Sequence, residues 1–276
     1  MGENIFKLTV LGSRGSVPVS GKEFDIYGGA TSCYMVEIGR RVIILDAGTG
    51  IVSAPCFKDK EEVDVLLSHP HLDHIFGLCF FPELLVKDRK ITLYGKNLDG
   101  RSIEDQIEKA FSKPYWPLTI SEYPCDFAYK DLELPLILED SAEDKKQIVI
   151  EGIEVEHPGG CLAFSIKYEG KKLVYMTDCD LGEGISSELI EFTRDADLFL
   201  CDAQFTKEEY LEKEGFGHST PEMVEELKNK AGAGKTILIH HDPNHTDKDM
   251  ERLEKEVKNA DISYAKCGMC IDLFEI

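Results

Sequence analysis

The sequence lacks the features of several protein classes. It has no run of about 20 apolar residues, so nothing in it is expected to span a membrane. Its first residues lack the basic region and long apolar core of a signal peptide. Its nine cysteines are an odd number scattered through apolar contexts, which favours reduced thiols over a disulfide framework. No serine nucleophile-elbow motif supports serine hydrolysis. We therefore expect a cytoplasmic protein.

Positive charge is also scarce. The chain has 31 Lys and Arg against 52 Asp and Glu, which gives a net charge of −21. This excess would repel long polyanions, and no strong Lys/Arg cluster offsets it. A basic track stays open only as an assembly of scattered residues such as Arg14, Lys22, Lys171 and Lys172. We therefore expect no long nucleic acid and no membrane among the partners.

The pattern of apolar residues indicates an α/β protein. Short β-branched runs bounded by Gly, Asp or Lys recur along the chain and predict strands. Apolar residues at helical spacing predict helices in 103–111, 186–194, 221–230 and 249–259. Two sheets with outer helices fit this order. No repeat or linker divides the chain, which predicts one domain over 1–276. Within it, 97–146 is an irregular excursion, open to a role as a lid or as a homodimer contact.

The strongest chemical signal is the segment Ser68-His69-Pro70-His71-Leu72-Asp73-His74, which directly follows a predicted strand. Three of the eight histidines of the chain fall within it, beside one aspartate. We expect a loop here, because a loop can turn several side chains toward one point. Imidazole suits zinc, and Asp adds a harder oxygen ligand. The segment therefore predicts a metal site.

Further candidate ligands stand where predicted strands run into loops, at His157, Asp178 and His240. Each alone is typical of a turn or capping residue. Together with residues 69–74 they form two ligand sets. Two metal ions about 3.5–4 Å apart would then share Asp178 and a hydroxide. His241 and His245 follow closely and stay open as replacements for His240 or as supporting residues.

The motif His69-x-His71-x-Asp73-His74, followed in order by the later candidates, resembles the metallo-β-lactamase superfamily over nearly the whole chain. The resemblance implies an α/β fold, the four-layered αββα sandwich, with metal ions at one edge between the sheets. By position, it implies His69, His71 and His157 for one ion, Asp73, His74 and His240 for the other, and Asp178 as the bridge. Asp46 matches an early Asp that supports the ligand loop without binding metal.

Three more segments resemble the branch that holds tRNase Z and the cyclic-phosphate phosphodiesterase of phosphonate breakdown. They are Gly12-Ser13-Arg14-Gly15-Ser16-Val17-Pro18, Tyr27-Gly28-Gly29 and Gly217-His218-Ser219-Thr220, with departures from the branch at Ala30, Pro70 and Cys161. In that branch the His of the last segment is a general-acid candidate, and the match falls on His218. Ser219 or Thr220 can cap a following helix, and Glu222 would close a capping box. His218 would then lie near a helix N-terminus, where free N–H groups attract anions.

The residues and the resemblance together predict a dinuclear metal-dependent hydrolase. The favoured activity is that of a phosphodiesterase acting on a small phosphodiester through a metal-bridging hydroxide. Asp73 would orient the hydroxide besides binding metal, and His218 would protonate the leaving oxygen. Zinc is the expected metal for histidine-rich ligation, with manganese or iron as alternatives.

Other functions stay open. The same site could hydrolyse a carboxylic ester, lactone or thioester, or the chain could hold metal as a regulatory protein without turnover. tRNA processing is disfavoured, because the intervals 157–178 and 178–218 hold no Gly/Pro-rich basic arm. Two further segments resemble known motifs, but we assign no function to them. Residues 232–236 resemble a phosphate-binding loop in the reverse structural order, and 267–270 lacks a second cysteine pair.

Overall fold

Two mixed seven-stranded sheets, packed face to face, form the centre of the molecule in a computed structural model that describes residues 5–57, 62–140 and 146–276. The strands are β1 (Phe6–Gly12), β2 (Cys33–Ile38), β3 (Arg41–Leu45), β4 (Glu62–Leu66), β5 (Lys90–Gly95), β6 (Asp126–Asp131), β7 (Leu136–Glu139), β8 (Gln147–Val155), β9 (Cys161–Tyr168), β10 (Lys171–Met176), β11 (Leu198–Asp202), β12 (Lys235–Ile239), β13 (Ile262–Tyr264) and β14 (Cys270–Asp272). The helices are α1 (Leu72–Ile75), α2 (Ile103–Ala110), α3 (Ser187–Thr193), α4 (Lys207–Glu212), α5 (Pro221–Ala231) and α6 (Asp247–Glu256).

The strand order brings the ends of parallel strands together. The first sheet runs β14-β1-β2-β3-β4-β5-β6, and the second runs β13-β12-β11-β10-β9-β8-β7. Strands β3 to β6 are parallel in the first sheet, and β10 to β13 are parallel in the second. Parallel strands present their carboxyl ends at a common edge, where α/β proteins build their sites. The predicted site residues after β4, β10 and β12 therefore share the carboxyl-terminal edges of the two sheets.

Alternation along the strands gives each sheet two apolar faces. In β10, Leu173 and Tyr175 belong to the core between the sheets, whereas Val174 and Met176 belong to the outer core under the helices. Helix α5 packs on that outer face through Val224. On the first sheet, α2 and the short helical turns cover the other outer face. The four layers confirm the predicted αββα sandwich.

The structure contains elements that the sequence pattern does not predict. Strands β7 and β13 and helices α1 and α4 are short, and β6 has no buried residue. Such segments carry little of the periodic apolar signal on which a prediction rests. The four predicted helices are present as α2, α3, α5 and α6.

The interval 97–146 contains α2 and the strands β6 and β7, which end the two sheets. Its residues 141–145 lie outside the described residues. Its role as a lid or a dimer contact, like the assignment of 1–276 to one domain, stays a prediction. Among the described residues, no helix is both long and apolar enough to cross a membrane.

Candidate metal centre

The segments that follow β4, β8, β10 and β12 meet at one place and bring the predicted ligands together in two groups. In one group, a ligand atom from each of its three residues lies within 4.8 Å of the others, and in the second the same holds for four residues. The first group is His69, His71 and His157, and the second is Asp73, His74, Asp178 and His240. The structure therefore unites residues that lie far apart in the sequence.

The segment 69–74 is not the continuous loop that we predicted. His71 is extended and precedes α1, whereas Asp73 and His74 lie within this four-residue helix. The prediction of a loop was wrong for these two residues, because a single helical turn leaves no periodic pattern in the sequence. The helix still brings the side chains together: the ring of His69 has its centroid 4.3 Å from that of His71 and 4.3 Å from that of His74.

Asp178 lies between the two groups and turns one carboxylate oxygen toward each. Its Oδ1 is 3.1 Å from Nε2 of His74 and 3.3 Å from Nε2 of His240. Its Oδ2 is 3.7 Å from Nε2 of both His69 and His157. A carboxylate in this position can serve two neighbouring cations at once, the arrangement of two-metal sites.

The donor atoms fit divalent cations. Nε2 of His69 is buried without a hydrogen-bond partner, 3.7 Å from Oδ2 of Asp178. A buried polar atom left in this state costs about 1–3 kcal/mol, and a cation bound by the first group would satisfy it. The first group offers imidazole nitrogens and the second offers imidazole and carboxylate, a set that suits zinc, with manganese or iron also compatible.

The remote ring nitrogen of the candidate ligand histidines is held by oxygen, apart from that of His71. Nδ1 of each ring lies 2.7–3.0 Å from its acceptor, and the pairs are His69 with Ser68 Oγ, His74 with Asp46 Oδ2, His157 with the Gly217 carbonyl, and His240 with Gln204 Oε1. Donation from Nδ1–H leaves the lone pair on Nε2, which faces the centre. These oxygens therefore select the tautomer that can bind a cation.

Asp46 holds the segment that carries the first ligands. Besides His74, it accepts hydrogen bonds from the backbone N–H of Ser68 at 2.7 Å and from the hydroxyl of Tyr175 at 2.6 Å. Asp46, Asp178 and His240 have φ values of 60°, 46° and 62°. Positive φ is uncommon outside glycine and costs energy, so its concentration here indicates that side-chain position takes precedence over backbone relaxation.

His218 lies beside the two groups and is held by another carboxylate. Its Nδ1 donates to Oδ2 of Asp202 at 2.6 Å, and its ring stacks on that of His240 with centroids 4.9 Å apart. Sequence reasoning missed Asp202, although it carries the same signal as Asp178 and His240, a polar residue at the end of an apolar strand. The structure thus adds Asp202 as the partner of His218, beside the predicted ligands.

Helix α5 begins three residues after His218, at Pro221. Thr220 is its N-cap and accepts a hydrogen bond from the backbone N–H of Met223, while Pro221 occupies the first helical position. Glu222 does not close the predicted capping box, because it stands at the second helical position and a capping box needs the third. Because proline has no N–H and that of Met223 is capped, this helix end offers few free donors to an anion.

His241 and His245 do not join either candidate group. Nε2 of His241 is 2.9 Å from the carbonyl of Ala265, and its ring packs against Tyr27. Nε2 of His245 is 2.8 Å from Oε1 of Glu209. Both side chains anchor the segment after β12 and leave His240 as the residue that faces Asp178.

Burial and charge act in opposite directions on these residues. Burial alone would raise the pKa of Asp178, but His240, His74 and His69 lower it well below its ordinary value. Burial would lower the pKa of His240, but Asp178 and a hydrogen bond to Asp73 raise it to about 9. The pKa of His74 is raised well above its ordinary value, chiefly by Asp178 against the effect of burial. Without a cation, protons on His74 and His240 balance the buried carboxylates.

Known proteins are similar in sequence to this chain. Residues 41–241 match the family described as the beta-lactamase superfamily domain. The chain is 24% identical to the probable metallo-hydrolase YhfI of Bacillus subtilis, over 95% of this chain and 98% of that protein. It is 22% identical to the ribonuclease Z of Bacillus velezensis, over 91% of this chain and 93% of that protein.

Solved structures share the fold. The crystal structure of YhfI matches with a TM-score of 0.70 at 21% identity, and covers 98% of this chain and 100% of its own. A diphosphatase from the PhnP family matches with a TM-score of 0.67 at 19% identity, and covers 97% of this chain and 96% of its own. The αββα sandwich is therefore the metallo-β-lactamase fold.

The raised pKa of His240 predicts how the metal-free protein responds to pH. Its pKa of about 9 exceeds the ordinary histidine value of 6.5, so protonation stabilises the fold fully below pH 6.5. This contribution is lost as the pH rises through about 9. With chelator present, we expect the melting temperature to fall over this range. The variant His240→Asn places at this position a residue that tolerates positive φ and does not titrate. The melting temperature of the variant should therefore fall less over the same pH range. An equal fall in both proteins would contradict the assignment.

Proposed function

The chain belongs to the β-lactamase superfamily, and we propose that it is a dinuclear metal-dependent phosphodiesterase that hydrolyses a small phosphodiester. The observation that carries the proposal is the position of Asp178 between two groups of donors. In the proposal, one ion is held by His69, His71 and His157, the other by Asp73, His74 and His240, and Asp178 bridges them.

Two divalent cations bound here would lower the pKa of a water molecule and neutralise charge on the phosphoryl oxygens. The carboxylate of Asp73 is held in place by the backbone. Oδ2 of Asp73 accepts a hydrogen bond from the backbone N–H of Ser16 at 2.8 Å. Because a backbone donor holds the carboxylate, Asp73 can orient the attacking water without first reorganising.

His218 supplies the proton that the leaving oxygen needs. Its Nδ1–H is engaged by Asp202, so Nε2 carries the proton that can be transferred. The buried carboxylate of Asp202 holds the ring of His218 in this orientation. Helix α5 begins three residues after His218, but Pro221 has no N–H and Thr220 caps that of Met223, so its N-terminus adds little to the binding of an anionic substrate group.

The pair of His218 and Asp202 also favours catalysis over the alternative of a metal-holding regulatory protein. Such a protein needs ligands but no proton donor beside them, whereas here a buried carboxylate lies 2.6 Å from the His218 ring. Hydrolysis of an ester, lactone or thioester remains the second candidate on the same residues. Phosphorus is preferred over carbonyl carbon because two of the similar proteins are named as a ribonuclease and a diphosphatase.

A small substrate is preferred over a long RNA. The net charge of −21 opposes a polyanion. The two intervals that hold no Gly/Pro-rich basic arm are used for the sandwich itself. The interval from His157 to Asp178 contains β9 and β10, and that from Asp178 to His218 contains α3, β11 and α4.

The first test of the proposal is metal content together with activity. We expect close to two divalent ions per chain after purification without chelator, and turnover of a generic aryl phosphodiester that chelator abolishes. Asp178→Asn should lower both values, because the bridge loses its charge. Asp180→Asn is the matched control, since Asp180 bonds the Gly182 backbone and Tyr210 instead of facing the groups. Absence of metal, or turnover of lactones alone, would contradict the proposal.

The role of His218 predicts a dependence on the leaving group. His218→Ala should reduce turnover of an alkyl diester by roughly 10²–10⁴-fold, the usual range for general acid catalysis. The loss should be smaller for a nitrophenyl diester, whose leaving group needs little help from a proton. Metal content measured by elemental analysis should stay unchanged. Equal losses for both substrates would indicate a positioning role, and loss of metal would make His218 a ligand.

The preference for a small substrate predicts weak salt dependence. In about 0.15 M salt, where the screening length is about 8 Å, we expect no measurable binding to a structured RNA. Activity on a small diester should change little with ionic strength. Tight binding of RNA whose affinity falls with a logarithmic slope of about −0.7 to −0.9 per phosphate would contradict this preference.

A further inference from the structure

Gln204 connects two of the candidate ligands through its amide. It follows β11, two residues after Asp202, and is only 5% exposed. Its Oε1 lies 3.0 Å from Nδ1 of His240, and its Nε2 donates to Oγ of Ser16 at 3.3 Å. Both polar ends of the buried amide are therefore used within the site.

The chemistry of His240 requires this orientation of the amide. Nε2 of His240 faces Asp73 at 3.2 Å and Asp178 at 3.3 Å, so Nε2 must offer its lone pair to bind a cation there. The ring proton then resides on Nδ1, which needs an acceptor. Oε1 of Gln204 is that acceptor. An amide turned the other way would instead favour the tautomer that cannot bind metal through Nε2.

The hydrogen bonds continue from Ser16 to Asp73. Ser16 has a positive φ of 62°, and its backbone N–H donates to Asp73 Oδ2 at 2.8 Å. The preceding residue, Gly15, lies so close to His240 that an added Cβ would meet the ring at 2.5 Å. The connection therefore runs from His240 through Gln204 and Ser16 to Asp73, and its two ends belong to the same candidate group.

The rings of His74 and His157 are held by partners other than Gln204. His74 is held by the Asp46 carboxylate, and His157 by the carbonyl of Gly217. We propose that Gln204 is a positioning residue that sets the tautomer and orientation of His240 and so controls the ion held by Asp73, His74 and His240. This inference rests on the proposed dinuclear site, and it predicts an effect on one ion only.

The test is a metal titration of the full chain with Co²⁺, followed by visible absorbance and by competition with a chelator. Gln204→Met keeps the size of the side chain and removes both polar atoms. It should weaken the binding of one of the two ions by about 10–100-fold and leave the binding of the other unchanged. A loss of this size is the usual effect of removing the partner of a metal-binding histidine. Gln204→Glu keeps the acceptor for Nδ1–H and should keep both ions. Gln147→Met, at the exposed start of β8, is the matched control and should behave as wild type.

A second variant tests the same connection if Gln204→Met does not fold. Ser16→Gly removes the hydroxyl that Gln204 contacts, while glycine accepts the positive φ and keeps the N–H donor to Asp73. It should lower the binding affinity of the same ion by a smaller factor. Two unaltered affinities in these variants, or equal weakening of both ions, would overturn the role of Gln204 while the proposed function stands. Fewer than two ions in the wild-type chain would overturn the proposed function itself.

Discussion

A buried carboxylate, that of Asp178, lies where the two sheets meet, and each of its oxygens faces a different group of histidines. Burying a charge of this kind is costly unless opposite charge surrounds it. The histidines provide that charge when protonated, and divalent cations would provide it more fully. The arrangement of the ligands, the strained backbone at the strand ends and the surrounding hydrogen bonds are consistent with this single requirement.

The sandwich places charged and ligating residues around Asp178 by locating them at the ends of strands. β10 ends just before Asp178, β12 ends just before His240, and β11 ends at Asp202. Because these strands are neighbours in one parallel array, their ends are held at a constant spacing by backbone hydrogen bonds. Side chains on such rigid elements can be positioned more accurately than side chains on loops.

Around the candidate ligands lies a set of oxygens whose common task is to keep Nε2 available. Asp46 does this for His74, Gly217 for His157 and Gln204 for His240. Asp202 links this set to the proposed acid, since Oδ1 accepts the Gln204 backbone N–H and Oδ2 accepts from His218. The proposed acid His218 and the proposed ligand His240 thus both depend on residues 202–204, at the end of β11.

The sequence by itself determined the candidate ligands and, through its resemblance to a family, the sandwich. Segment 69–74 concentrates histidine and aspartate, and Asp178 and His240 each follow a clear apolar strand, so local pattern was sufficient. It did not reveal the short helix α1 or strand β6, which has no buried residue, because neither carries a clear apolar periodicity. Only the tertiary structure decided the partners of the histidines. His218 and Asp202 are 16 residues apart, His240 and Gln204 are 36 apart, and no local pattern links either pair. The pairing of Gln204 with His240 follows from the alignment of β11 and β12 in the sheet, and His218 reaches Asp202 from the segment before α5, so chain folding alone establishes both contacts.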